Sequence, residues 1–168
     1  MAIPGSPSSG SQSQTDLYRR QHFTPQAEKT HEVPDELVPK APLKVLMLED
    51  DEDLSLLLAK ALESLPAQVT TVGNGVDGLR QIMGTDFDAI VCDMVMPNLA
   101  GDMFYLAVER ARPHLCKRFL FMTGHKSEKR WDEFARSKGC LILWKPFELH
   151  IFLEAVQSVI RKSKGAGK

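Results

Sequence analysis

Short apolar runs alternate with longer stretches whose apolar residues recur every three or four positions, from Lys44 to about Arg161. The short runs are Lys44–Leu48, Val69–Val72, Ala89–Cys92, Arg118–Met122 and Leu141–Trp144. Their length, β-branched and aromatic content and flanking turn residues predict buried strands. Between the first two, Leu54, Leu57, Leu58, Ala61, Leu62 and Leu65 keep a helical period that Pro66 closes, and Asp53 offers itself as the cap. Gly73-Asn74-Gly75 makes a turn into a second helix, Val76–Met83, with Leu79, Ile82 and Met83 on its apolar side. A third helix is predicted from about Asp102 to Ala111, ending near Pro113. A fourth, from a Ser127 cap to Ser137, has only Trp131, Phe134 and Ala135 as anchors. The last runs from about Glu148 to Arg161 on Leu149, Phe152, Leu153, Val156 and Ile160.

Strands alternating with helices imply an α/β three-layer sandwich, because each right-handed crossover between parallel strands lays a helix on the sheet. The economical topology is a flavodoxin-like, five-stranded parallel sheet of order 2-1-3-4-5 with five helices, whose switch point lies between the first and third strands. Residues 43–162 form this domain. Residues 1–42 hold six of the ten prolines and no sustained hydrophobic period, so they read as a disordered arm with a transient helix around Asp16–His22. Residues 163–168 read as a basic tail.

Composition narrows the function. A formal charge of −1 lacks the basic excess of a nucleic-acid binder. No apolar run approaches a membrane span, and the amino terminus lacks a secretory layout. Cys92, Cys116 and Cys140 are odd in number and without metal-ligand spacing, so they read as reduced, mostly buried thiols. A cytoplasmic location is the default expectation.

The chemistry gathers at strand ends. The first strand stops at Glu49-Asp50, the third at Asp93, the fourth at Thr123 and the fifth at Lys145. In a parallel sheet all of them reach the carboxyl-end rim, where ligands bind. Taken alone, Asp93 could cap a loop and Lys145 could merely pair with it. Two carboxylates about 4 Å apart repel by about 4 kcal/mol at an effective dielectric near 20, so they share a proton or bind a cation. Hard oxygen ligands open to water suit Mg²⁺, which takes only one or two carboxylates and keeps its waters. Asp93 can then act as a carboxylate nucleophile towards phosphorus, with Lys145 and Mg²⁺ neutralising phosphoryl charge and Thr123 donating a hydrogen bond.

Four motifs, Leu48-Glu49-Asp50, Asp93-Met94-Val95-Met96-Pro97 with Gly101 beyond, Met122-Thr123-Gly124 and Lys145-Pro146-Phe147, resemble the receiver domain of two-component response regulators. The resemblance runs from Leu43 to about Ile160, and its wording is most like receivers of hybrid sensor kinases. It implies phosphotransfer onto Asp93 from a histidine kinase or a histidine phosphotransfer protein. It also implies Mg²⁺ on Asp50, Asp93 and the main-chain carbonyl of Val95, Glu49 supporting the metal through water, and a cis bond before Pro146. Val95 and His125 fall where the family flanks the path of the attacking water. Ile142 stands where many receivers carry a switch aromatic, and Trp144, on the same strand face, is either a substitute or a packing residue.

The expected molecule is thus a signalling module without an enzyme activity of its own. No effector domain follows, so output is expected through contact with a downstream protein. A haloacid-dehalogenase-like phosphatase also phosphorylates a strand-end Asp but wants an acid at the position of Val95. A flavin binder wants a phosphate loop where Glu49–Asp53 would repel one. A receiver fold acting without phosphorylation, as an interaction module, is the remaining alternative.

Overall fold

The computed structural model describes residues 41–124 and 129–165. Five strands, β1 (Leu43–Leu48), β2 (Ala67–Val72), β3 (Ala89–Asp93), β4 (Phe119–Thr123) and β5 (Leu141–Trp144), form one parallel sheet in the order β2-β1-β3-β4-β5. The helices are α1 (Glu52–Leu62), α2 (Gly75–Gly84), α3 (Gly101–Ala111), α4 (Lys129–Ser137) and α5 (Leu149–Gly165). A short 3-10 helix, Pro113–Arg118, precedes β4. The expectations for residues 1–40, the Ser127 cap, His125 and residues 166–168 lie outside the described residues.

The pleat sorts each central strand between two cores. Leu46, Leu48, Ile90, Cys92, Phe119 and Phe121 face one core with Ile82 of α2, Phe104, Tyr105 and Val108 of α3, and Trp131 and Ala135 of α4. Val45, Met47, Ala89, Val91, Leu120 and Met122 face the other with Leu58 and Leu62 of α1 and Phe152, Val156 and Val159 of α5. Every residue of β3 and β4 is buried, as a parallel sheet covered on both faces requires. Every residue of β5, by contrast, is only half-buried.

The details correct several expected boundaries. Asp51, not Asp53, caps α1: its carboxylate accepts the Leu54 amide at 3.0 Å, and Asp53 already lies inside the first turn. In a run of five consecutive acids, Glu49 to Asp53, composition alone does not select the one with extended backbone. Asn74 caps α2 through the Asp77 amide at 3.0 Å, so Gly75 joins that helix. β2 begins two residues earlier than its apolar run, at Ala67, because pairing with β1 recruits Ala67 and Gln68. α5 continues four residues past Arg161, with the Ser163 hydroxyl donating to the Ile160 carbonyl at 2.8 Å and Lys162 and Lys164 in the last turn, where positive charge suits the helix dipole. Of the cysteines only Cys92 is buried; Cys116 and Cys140 are half-buried, and burial pushes the Cys140 thiol up to about 11.

At the amino-end rim of the sheet, Arg112 donates to Asp86 at 2.5 Å and to the carbonyl of Ile82 at 2.7 Å, which closes the end of α2. His114 meets the same carboxylate at 2.8 Å, and that hydrogen bond holds Asp86 below its ordinary range. Arg118 donates to the carbonyl of Phe87 at 2.6 Å.

Candidate functional site at the carboxyl-end rim

Strand register delivers the site. Leu48 lies beside Cys92, Asp93 beside Met122 and Thr123 beside Trp144, so the residues that finish β1, β3, β4 and β5 open on one rim. Glu49 and Asp93 are buried there, while Asp50 is exposed. One carboxylate oxygen from each of Glu49, Asp50 and Asp93 lies within 4.8 Å of the others.

Three contacts fix Asp93. Its Oδ1 accepts the Val95 amide at 2.9 Å, its Oδ2 accepts from the Lys145 ammonium, and its carbonyl carbon and oxygen lie against Gly101. A Cβ at Gly101 would stand 2.5 Å from the Asp93 carbonyl oxygen and 2.9 Å from Met94 Cα. The absence of a side chain there lets the start of α3 close onto the end of β3, and the Gly101 amide donates to the Met94 carbonyl at 3.1 Å. Between them Asn98 takes a positive φ of 65°, which Asn tolerates better than most residues.

Lys145 also donates to Glu49 Oε2 at 2.7 Å, so one ammonium bridges two buried carboxylates. Burial by itself would lower the Lys145 pKa, but the hydrogen bonds it donates to Asp93 and Glu49, with their negative charges, outweigh it and the group is held above its usual value. Burial raises the Glu49 pKa, which the hydrogen bond to Lys145 counteracts and the nearby charge of Asp93 reinforces. The Lys145–Glu49 contact is the feature that sequence reasoning missed. Its signal was present in a single basic strand end facing three acids.

The Lys145–Pro146 bond is cis, and the Lys145 amide donates to the Thr123 carbonyl at 2.8 Å, which locks the lysine's backbone to the end of β4. Thr123 is fully buried. Val95 stands beside the site with 41% of its surface exposed. Ile142 and Trp144 both pack, half-buried, against the core that holds α3 and α4.

The donor set suits a hard divalent cation: oxygen only, with one exposed carboxylate and a rim open to water.

Comparison with known proteins agrees with this geometry. Residues 45–157 match the response regulator receiver domain family. The chain belongs to that family. This receiver is 26% identical over 117 residues to the response regulator receiver protein CpdR of Brucella abortus, covering 70% of this chain and 96% of CpdR. It is 27% identical over 124 residues to the sensor kinase CckA of the same organism, but spans only 12% of that protein. Among solved structures, chemotaxis protein CheY4 of Vibrio cholerae superposes with a TM-score of 0.64 at 26% identity, over 71% of this receiver and 99% of CheY4. A CheY-like receiver domain protein of Methanospirillum hungatei shares the fold at a TM-score of 0.69 and 20% identity, over 76% of this chain and 100% of that one. Among the described residues no helix is long and apolar enough to cross a membrane.

Proposed function

We propose that this receiver accepts a phosphoryl group on Asp93 from the phosphohistidine of a histidine kinase or histidine phosphotransfer protein, and passes the signal on by contact with a downstream protein. The observation that carries the reading is the convergence of Glu49, Asp50 and Asp93 within 4.8 Å of one another, with one ammonium bonded to both Glu49 and Asp93. Asp93 forms the new P–O bond as the P–N bond to the donor imidazole breaks. The Val95 amide and Lys145 hold the carboxylate in one orientation before the donor arrives, so that little reorganisation remains for the reaction. Lys145 and the hydroxyl of Thr123 then neutralise phosphoryl oxygens. Asp50, Asp93 and the Val95 carbonyl would hold Mg²⁺, with Glu49 supporting it through water; the ion supplies charge neutralisation at the transferring group. Functionally, residues 43–162 form the receiver, preceded by an arm over 1–42 and followed by the basic residues 163–168. A cytoplasmic setting suits the donors named.

Asp50→Ala tests the metal site. Because Asp50 is one of few protein ligands, Mg²⁺ affinity measured by calorimetry should fall by more than about tenfold, the loss that follows even from removing an outer-sphere partner. The same variant should take up label from a phosphorylated donor slowly, as the wild type should after chelation of Mg²⁺. Unchanged Mg²⁺ affinity would place the ion elsewhere.

Val95 bears on how long the signal lasts. Its side chain neither donates nor accepts a hydrogen bond, and it is exposed next to the carboxylate it would shield. Hydrolysis of an acyl phosphate needs an in-line water, which Val95 crowds without orienting. Val95→Asn should therefore dephosphorylate several-fold faster in a single-turnover decay assay, and an equal or slower decay would show that Val95 does not gate the water.

A further inference from the structure

A cleft of about 380 Å³ opens beside the acid cluster, between one flank of α1 and the end of the edge strand β2. Glu52, Ser55, Leu56 and Ala59, three and four apart along α1, face Thr71 and Val72 across it, and its inner end meets Glu49 and Asp50. Among the described residues no lysine, arginine or histidine lines it. Its walls are therefore carboxylates and hydroxyls around an apolar strip, on which Leu56 is 70% exposed. A cleft of this volume is within the range of small-ligand sites.

Ser55 distinguishes this cleft from a merely acidic surface. The residue is only 9% exposed, yet its hydroxyl has no hydrogen-bond partner among the described residues. A helical serine commonly returns its hydroxyl to the carbonyl one turn back. Here the Asp51 carbonyl receives the Ser55 amide, at 2.8 Å, and not the hydroxyl. A buried polar group without a partner costs stability, and a group entering the cleft can restore what is missing. Glu52, one turn earlier on the same flank, holds an exposed carboxylate with no ion-pair partner among the described residues, whereas Glu49 is already engaged by Lys145. The positive end of the α1 dipole opposes a cation here, but it amounts to about half an elementary charge against the five acids from Glu49 to Asp53.

We propose that this cleft binds an organic cation, a guanidinium or ammonium head on a short aliphatic stem, with the head on Glu52 and the hydroxyls of Ser55 and Thr71 and the stem along Leu56, Ala59 and Val72. A guanidinium suits it best, because its N–H donors fan out in one plane and serve a carboxylate and two hydroxyls at once. The same head arrives either on a free small molecule or on an arginine side chain of a protein docked at this rim. Its partners are not the metal's ligands, so the inference does not depend on the phosphoacceptor reading of Asp93.

The test titrates the ¹⁵N-labelled full chain with n-butylguanidinium, with and without saturating Mg²⁺, and follows the amide resonances. Shifts at Glu52–Leu56 and Thr71–Gly73 should saturate with a Kd on the order of 1 mM, a range open to a ligand of about eight non-hydrogen atoms. n-Butanol, which keeps the stem and lacks the charged head, should bind at least about tenfold more weakly. Glu52→Gln and Ser55→Ala should each raise the Kd about fivefold or more. Ser55→Ala removes an unpaired hydroxyl, so its melting temperature should equal or exceed that of the wild type, and weaker binding would not be loss of fold. Shifts that fail to saturate, that n-butanol reproduces, or that persist unchanged in both variants overturn the site. So do shifts that vanish in saturating Mg²⁺, which would put the cation on the metal ligands. N-acetyl-arginine methylamide separates the two sources. Binding as tight as that of n-butylguanidinium assigns the head to a protein side chain, and binding more than about tenfold weaker assigns it to a free small molecule.

Discussion

Incubated with Mg²⁺ and acetyl phosphate, the wild-type receiver should gain a base-labile phosphoryl group, and Asp93→Asn should retain less than about 1% of it, because an amide is no nucleophile. The expectation is sharp because Asp93 is the buried carboxylate at the centre of the site, fixed by the Val95 amide and Lys145. Asn preserves the shape and can still accept the Val95 amide, so loss of label would not be loss of fold. A thermal melt of the variant controls for this. Lys145→Ala should separate two roles of the ammonium. It leaves Glu49 and Asp93 buried without the charge that bridges them, so labelling should slow and the response to label should weaken even where labelling occurs. Wild-type labelling of Asp93→Asn would move the modification to another residue and remove the central claim about this rim.

The second large effect is expected from Gly101→Ala, a substitution of one methyl group far milder on paper. Its Cβ would lie 2.5 Å from a backbone oxygen and 2.9 Å from a backbone carbon, neither of which can rotate away. Either α3 lifts from the end of β3 or the Asp93 carbonyl tilts. Overpacking of this kind costs about 2–3 kcal/mol, which lowers the melting temperature by about 10 °C in a domain of this size. Because the strained atoms belong to Asp93 itself, labelling should fall together with stability. Calorimetric melting with and without Mg²⁺, alongside the acetyl phosphate assay, measures both. A melting temperature within 2 °C of wild type, by the same scaling, would mean that the loop through Asn98 absorbs the methyl group at little cost.

The strands were legible because β3 and β4 are buried on both faces, which leaves an uninterrupted apolar run, and the rim was legible because each run stops on a chemical group. β2 was read short for the opposite reason: as an edge strand it needs no apolar residue at Gln68, which stays exposed. The 3-10 helix at Pro113–Arg118 left no trace in the pattern, since it is too short to show a period and only Leu115 anchors it. Asp93, Asp50 and Lys145 could be named from sequence alone, whereas the bridging of Glu49 by Lys145 could not. Which carboxylate turns inward depends on the turn after β1, where the Asp51 amide donates to Glu49 Oε1 at 3.4 Å. Nor could periodicity show that the Trp131 indole N–H would be buried without an acceptor among the described residues, because a spacing of three or four identifies the face and says nothing of the atoms it meets.

The clamp of Arg112, His114 and Arg118 onto Asp86, α2 and Phe87 gives the receiver a directional mechanics. At that end opposite charges meet and helix carbonyls are closed, so the sheet and its helices are sewn together. At the other end one ammonium spans the buried carboxylates of Glu49 and Asp93, with exposed Asp50 beside them, so a single group sets the balance of charge there. A change in charge at Asp93 therefore falls on Lys145, whose amide is bonded to the end of β4.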